Sequence, residues 1–198
     1  MHTASKSNTL ILLIHEKYGI NDHMLSVGDR IKQNGMNVLI PNLLQREGFV
    51  YEQEAQAYRY FMDSVGFERG KQRIASIVTE QRERYERILL MGYSVGATLA
   101  WMCSTLPVDG IIGYYGSRIR DALDIEPACP ALLFFASEEK SFHVPTLLAA
   151  LKDKPHTIVE IVNAKHGFMN PFDASYDEGK SRQCLATSLA FIHRIIAL

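Results

Sequence analysis

Residues 88–102, Ile88-Leu-Leu-Met-Gly-Tyr-Ser94-Val-Gly-Ala-Thr-Leu-Ala-Trp-Met102, decide the fold. The apolar run 88–91 has the composition of a buried strand, and the segment after Gly96 is apolar at helical spacing. Between them stands Gly92-x-Ser94-x-Gly96. In a strand–turn–helix context that pentapeptide makes a nucleophile elbow, a strained turn that presents the serine hydroxyl at the end of a sheet. Glycine is needed on both sides because a side chain there would collide with the strand or the helix. The pentapeptide alone also suits an ordinary glycine-rich turn; the flanking patterns favour the elbow.

A serine is a weak nucleophile without a base and an orienting acid. The chain order that goes with such an elbow is Ser, then Asp or Glu, then His. A second apolar strand, Ala131-Leu-Leu-Phe-Phe-Ala136, leads into Ser137-Glu138-Glu139, which puts a carboxylate just past a strand's carboxyl end. A third, Thr157-Ile-Val-Glu-Ile-Val162, runs into Asn163-Ala-Lys-His166-Gly-Phe168. The order Ser94, Glu139, His166 fits. His166 would take the serine proton, and the carboxylate would hold its tautomer and stabilise the imidazolium. Two adjacent glutamates compete for the acid's place, and either is otherwise a solvated loop charge.

Near the start, Thr9-Leu-Ile-Leu-Leu-Ile-His15 reads as a buried strand followed by Glu16-Lys17-Tyr18-Gly19. With an elbow of this kind, one oxyanion-hole N–H comes from the residue after the nucleophile, here Val95. The other comes from the loop after an early strand, for which the backbone N–H of Lys17 is the candidate. Losing one such donor typically costs ~3 kcal/mol of barrier.

Strands alternate with helices along the rest of the chain, the pattern of a parallel sheet covered on both faces. Helices are predicted over 22–33 (Asn21 or Asp22 capping), 52–64, 68–86, 142–151 and 178–196, and further strands over 36–40 and 110–115. Composition, 198 residues with 47% hydrophobic, suits one domain, 1–198, with no room for a cap domain. A net charge near −1 argues against a nucleic-acid partner. The apolar run 10–14 is too short for a signal-peptide core or a membrane span. Cys103, Cys129 and Cys184 lack CxxC spacing, which reads as buried reduced thiols in a cytoplasmic protein. The seven histidines show no metal-ligand spacing, so neither a metal nor a cofactor is expected.

The motifs together resemble the dienelactone hydrolase family of α/β-hydrolases. They are Leu13-Ile-His-Glu16-x-x-Gly19, Val38-Leu-Ile-Pro-Asn-Leu43, Gln56-Ala-Tyr58, Met91-Gly-Tyr-Ser94-Val-Gly-Ala97, Val108-Asp-Gly-Ile-Ile-Gly-Tyr-Tyr-Gly116, Pro130-Ala-Leu-Leu-Phe-Phe-Ala136 and Ala164-Lys-His-Gly-Phe168. The resemblance implies an α/β-hydrolase fold and hydrolytic chemistry. It puts the family's nucleophile on Ser94, its acid on Glu139, its histidine on His166, and on Glu16 the glutamate that borders the nucleophile. This chain departs from the family pattern by a serine in place of cysteine and by a longer acid. Glu54 and Asn170 stand where two substrate-binding arginines are expected. Generation of a thiolate by Glu16 therefore does not carry over to a hydroxyl of much higher pKa.

The expectation is hydrolysis of a small ester or lactone through an acyl-serine intermediate, with Tyr93, Tyr115 and Phe168 as candidate pocket lining. Two other readings share these residues: a binding protein that keeps the fold without turnover, and an acyltransferase or thioesterase using the same serine.

Overall fold

The structure is a computed structural model and describes residues 8–139 and 141–197. Six strands form one sheet: β1 (Thr9–Ile14), β2 (Asn37–Leu39), β3 (Arg87–Tyr93), β4 (Gly110–Tyr114), β5 (Ala131–Glu138) and β6 (Thr157–Lys165). Their spatial order is β2-β1-β3-β4-β5-β6, and every pairing is parallel. The chain runs from β1 outward to β2, then returns to β3 and proceeds the other way. The order therefore reverses between β1 and β3, and in open α/β sheets the crevice outside the strands' carboxyl ends at that reversal is where ligands bind.

Two apolar layers sandwich the sheet. On one face Ile11, Leu13, Leu89, Met91 and Tyr93 pack with α1 (Asp22–Gln33) and α6 (Glu178–Ile196). On the other, Leu10, Leu12, Ile14, Ile88 and Leu90 pack with α2 (Glu54–Tyr60), α3 (Gly66–Arg82), α4 (Val95–Met102) and α5 (Val144–Leu151). Successive strand residues serve opposite faces, which is why these strands read as unbroken apolar runs.

Helices α1 and α6 have the expected bounds because each carries its own start signal. The Asn21 side chain accepts from the Met24 N–H, and that of Asp177 from the Lys180 N–H. Elsewhere tertiary contacts move the boundaries. The helix expected over 52–64 is a 3₁₀ turn at Tyr51–Gln53, then α2, then a wider π-type turn at Phe61–Val65. The next helix stops at Arg82, four residues short of 86. There the Arg82 guanidinium binds the carbonyls of Pro107 and Glu86 and the Asp109 carboxylate, while Asp109 also accepts from the Ile88 N–H. Strands β5 and β6 run beyond the predicted 136 and 162 because each continues to pair with the other as far as Glu138 and Lys165. No helix among the described residues is long and apolar enough to cross a membrane.

Candidate active site

The elbow forms at the end of β3. Ser94 has φ 52° and ψ −114°, a conformation costly for a non-glycine residue. It is held from both sides: its N–H donates to the Tyr114 carbonyl at 2.9 Å, and its carbonyl accepts from Ala97 and Thr98 in the first turn of α4. A Cβ on Gly92 would strike the Gly96 carbonyl, and one on Gly96 would strike the carbonyls of Ile14 and His15. The same close approach brings the end of β1, and with it the loop bearing Glu16 and Lys17, against the start of α4.

His166 follows β6 directly, and Glu139 follows β5. The Ser94 Oγ lies 3.2 Å from His166 Nε2, and His166 Nδ1 lies 2.9 and 3.0 Å from the two Glu139 oxygens. An ionised carboxylate only accepts, so Nδ1 carries the proton and Nε2 is free to accept from the serine hydroxyl. The Glu139 side chain is 2% exposed and that of His166 33%. The competing Glu138 is exposed and opposes Lys165 across the strand pair. A register irregularity between Ala136 and Glu138 comes just before the two glutamates, and such bulges redirect side chains.

Glu16 is buried. Tyr115 Oη donates to its Oε1 at 3.1 Å, Asn170 Nδ2 to its Oε2 at 3.4 Å, and His23 Nδ1 stands 3.7 Å from Oε2. Burial by itself pushes this carboxyl up; His23, His166 and Tyr115 pull it back, and the net shift is downward. Asn170 is further tied to Tyr51, which accepts from Asn21. His15 is buried and held below the usual imidazole range, chiefly by loss of solvent. The Leu43 N–H donates to its Nε2 and its Nδ1 donates to the Glu16 carbonyl, so the ring bridges two loops as a neutral tautomer.

The sequence-predicted residues thus fall into three groups. Ser94, His166 and Glu139 form one hydrogen-bonded chain. Val95 opens α4 directly after the serine, and Lys17 lies in the loop after β1, its ammonium bound to Glu54 at 2.8 Å. Tyr93, Tyr115 and Phe168, expected as candidate pocket lining, all have zero exposure. Tyr93 stacks on Tyr114 in the core beneath α1 and α6. Tyr115 lies behind the site, 4.7 Å from the His166 ring between centroids. The contacts of His15, His23 and Tyr51 carry no sequence signal, since single polar residues 7 to 119 positions from their partners leave no periodic pattern. The three cysteines are free and buried, and no group of three or more His, Cys, Asp or Glu among the described residues is placed to hold a metal.

A parallel sheet with this strand order, a nucleophile elbow at its reversal point and a histidine and acid on later loops define an α/β-hydrolase. The dienelactone hydrolase family model matches residues 1–196, and the chain belongs to that family of hydrolases. It is 45% identical over 166 residues to the uncharacterized Bacillus subtilis (strain 168) protein YczH, spanning 82% of this chain and 81% of that one. Two solved structures share the fold. The dienelactone hydrolase-like promiscuous phosphotriesterase P91 from metagenomic libraries has a TM-score of 0.78 at 18% identity, covering 96% of this chain and 88% of its own. Est1E from Butyrivibrio proteoclasticus, solved with ferulic acid bound, has a TM-score of 0.68 at 13% identity, covering 98% and 92%.

Proposed function

We propose that this hydrolase cleaves a small ester or lactone through an acyl-serine intermediate. The observation that carries the reading is the unbroken chain from Ser94 Oγ through His166 to both oxygens of Glu139. Ser94 Oγ attacks the carbonyl carbon as His166 Nε2 takes its proton. The backbone N–H groups of Val95 and Lys17 receive the oxyanion. When the tetrahedral intermediate collapses, the carbon–oxygen bond to the leaving alcohol breaks and His166 returns the proton to that oxygen. Water, deprotonated by the same nitrogen, then releases the acid and regenerates the serine. Glu139 holds Nδ1 protonated throughout and offsets the imidazolium charge.

The substrate end that meets the site is uncharged on this reading. A carboxylate-bearing substrate is best held by a guanidinium. At the two positions aligned with family arginines, Glu54 is engaged by Lys17 and Asn170 is buried against Glu16 and Tyr51. A neutral lactone is therefore expected to have the higher kcat/KM when compared with dienelactone at similar size; preference for the anion would reverse this assignment.

The test of the chemistry is p-nitrophenyl acetate turnover and fluorophosphonate labelling of wild type beside Ser94→Ala and His166→Ala. Labelling confined to Ser94 and suppressed without His166 supports the mechanism. Equal labelling of wild type and His166→Ala would sink it, and no reaction at all would favour a binding protein. Faster acyl release with an added thiol or alcohol than with water would make the chain an acyltransferase.

A further inference from the structure

Strand alternation should send neighbouring side chains at β4 to opposite faces of the sheet. Ile112 and Tyr114 join the layer beneath α1 and α6, and Ile111 joins the opposite one. Tyr115, next in the chain after β4, belongs by that rule with Ile111. It packs instead in the same layer as Tyr114. The backbone shows why: Tyr115 has φ 44°, a left-handed conformation that a bulky residue adopts only at a cost. The turn is held in place from both sides. The Tyr115 N–H donates to the Phe134 carbonyl at 2.7 Å, and the Tyr114 carbonyl before it accepts from the Ser94 N–H.

What the strained turn delivers is an aromatic ring against His166. The two ring centroids are 4.7 Å apart, with the planes inclined at 52°. Phe168 meets Tyr115 edge-on at 5.6 Å, and the Tyr115 hydroxyl donates to Glu16 Oε1 at 3.1 Å, so the ring is fixed at its side and at its tip. Burial and the neighbouring carboxylate raise the phenol well above its usual pKa, which keeps it a donor. His166, by contrast, is 33% exposed. The hydrogen bonds at its Nδ1 and Nε2 lie near the plane of the imidazole. They fix the line joining the two nitrogens and leave the tilt of the ring about that line to whatever packs against it.

We propose that Tyr115 is a positioning residue for His166: the left-handed turn after β4 sets its ring against the imidazole, and Glu16 pins it there by the hydroxyl. Its catalytic consequence rests on the serine mechanism proposed above. A tilted imidazole would carry Nε2 out of line with the Ser94 hydroxyl, and later with the leaving oxygen, even while its bond to Glu139 persists. Glu16 then acts through Tyr115, as the acceptor that fixes a buried phenol.

A nuclear Overhauser contact between the ring protons of Tyr115 and His166 in the wild-type protein tests the geometry without any turnover, and its absence would overturn the proposal. In ester turnover, Tyr115→Leu, which removes the aromatic ring, is expected to lower kcat roughly ten- to a hundredfold with KM nearly unchanged, the scale on which a displaced catalytic group costs rate. Tyr115→Phe keeps the ring, gives up the anchor and is expected to keep most of the wild-type rate. The His166 ring resonances, assigned by their loss in His166→Ala, are expected to shift in Tyr115→Leu and to stay near wild type in Tyr115→Phe. Wild-type kcat or unmoved His166 resonances in Tyr115→Leu, or a loss carried by KM alone, would refute the assignment. So would a Phe variant as slow as the Leu variant. Should Tyr115→Leu fail to fold, the wild-type contact and the Phe variant still decide. Should the serine mechanism itself fail, turnover is absent from the wild type too, while the ring contact and the resonance shifts remain readable.

Discussion

The two halves of the candidate site are built to different standards. Ser94 stands among β1, β3 and α4, whose residues are buried almost without exception. The histidine and its acid stand on β5 and β6, and β6 is an edge strand with Ile158 and Ile161 each 45% exposed. Ser94 holds a strained backbone, which persists only where the surroundings over-determine it. His166 and Glu139 need no strain; two hydrogen bonds aim them. Packing therefore sets Ser94, and polar contacts set His166.

Removing the proposed nucleophile is the largest break. Ser94→Ala is expected to lower p-nitrophenyl acetate turnover by about a thousandfold or more while leaving the thermal midpoint close to wild type. A variant that keeps its rate would dissociate the elbow from catalysis altogether. Next in size is Gly96→Ala, whose new methyl would meet the Ile14 and His15 carbonyls. The expected destabilisation is about 3 kcal/mol in urea unfolding, the upper range for overpacking. A small loss there would mean that the elbow half yields more than its packing implies.

On the other half, activity and stability should part company. Glu139→Gln is expected to cut kcat about a hundredfold, with little change in urea midpoint, and Glu138→Gln to stay near wild type. The reverse pattern would move the acid role to the exposed neighbour. The smallest effect concerns the thiols. Burial pushes Cys103, at the end of α4, up to about 12 and Cys184, on α6, up to about 11. A folded-state pKa above the unfolded value means that the unfolded chain releases its proton first. Stability from these thiols is thus complete below about pH 8.5 and is lost as pH rises through 11 to 12. Denaturant midpoints at rising alkaline pH should fall, and a thiol reagent should reach Cys184 before Cys103.

Most of the architecture was legible because it rests on local and periodic signals. A cap at Asn21 or Asp22 marks the start of α1, the apolar spacing marks α6, and the apolar runs mark the strands of a doubly covered sheet. The reading failed where a distant residue decides. Arg82, tied to Pro107 and Asp109, ends α3 early; pairing between β5 and β6 carries both strands past their apolar cores. Sequence gives the type of Tyr93, Tyr115 and Phe168 but not their depth, and all three are fully buried.

By itself the sequence determined the sheet's composition, the elbow, and the order of Ser94, the Glu138–Glu139 pair and His166, because each is encoded within a few neighbouring residues. Only the tertiary structure set the Glu139 carboxylate against His166 and assembled Glu16, His23, Tyr51, Tyr115 and Asn170 into one cluster. Those contacts span up to 154 positions of the chain. They exist because strand order brings the carboxyl ends of β1, β3 and β4 together with the loop after β6, and polar groups enclosed there must find partners among whatever the fold places beside them.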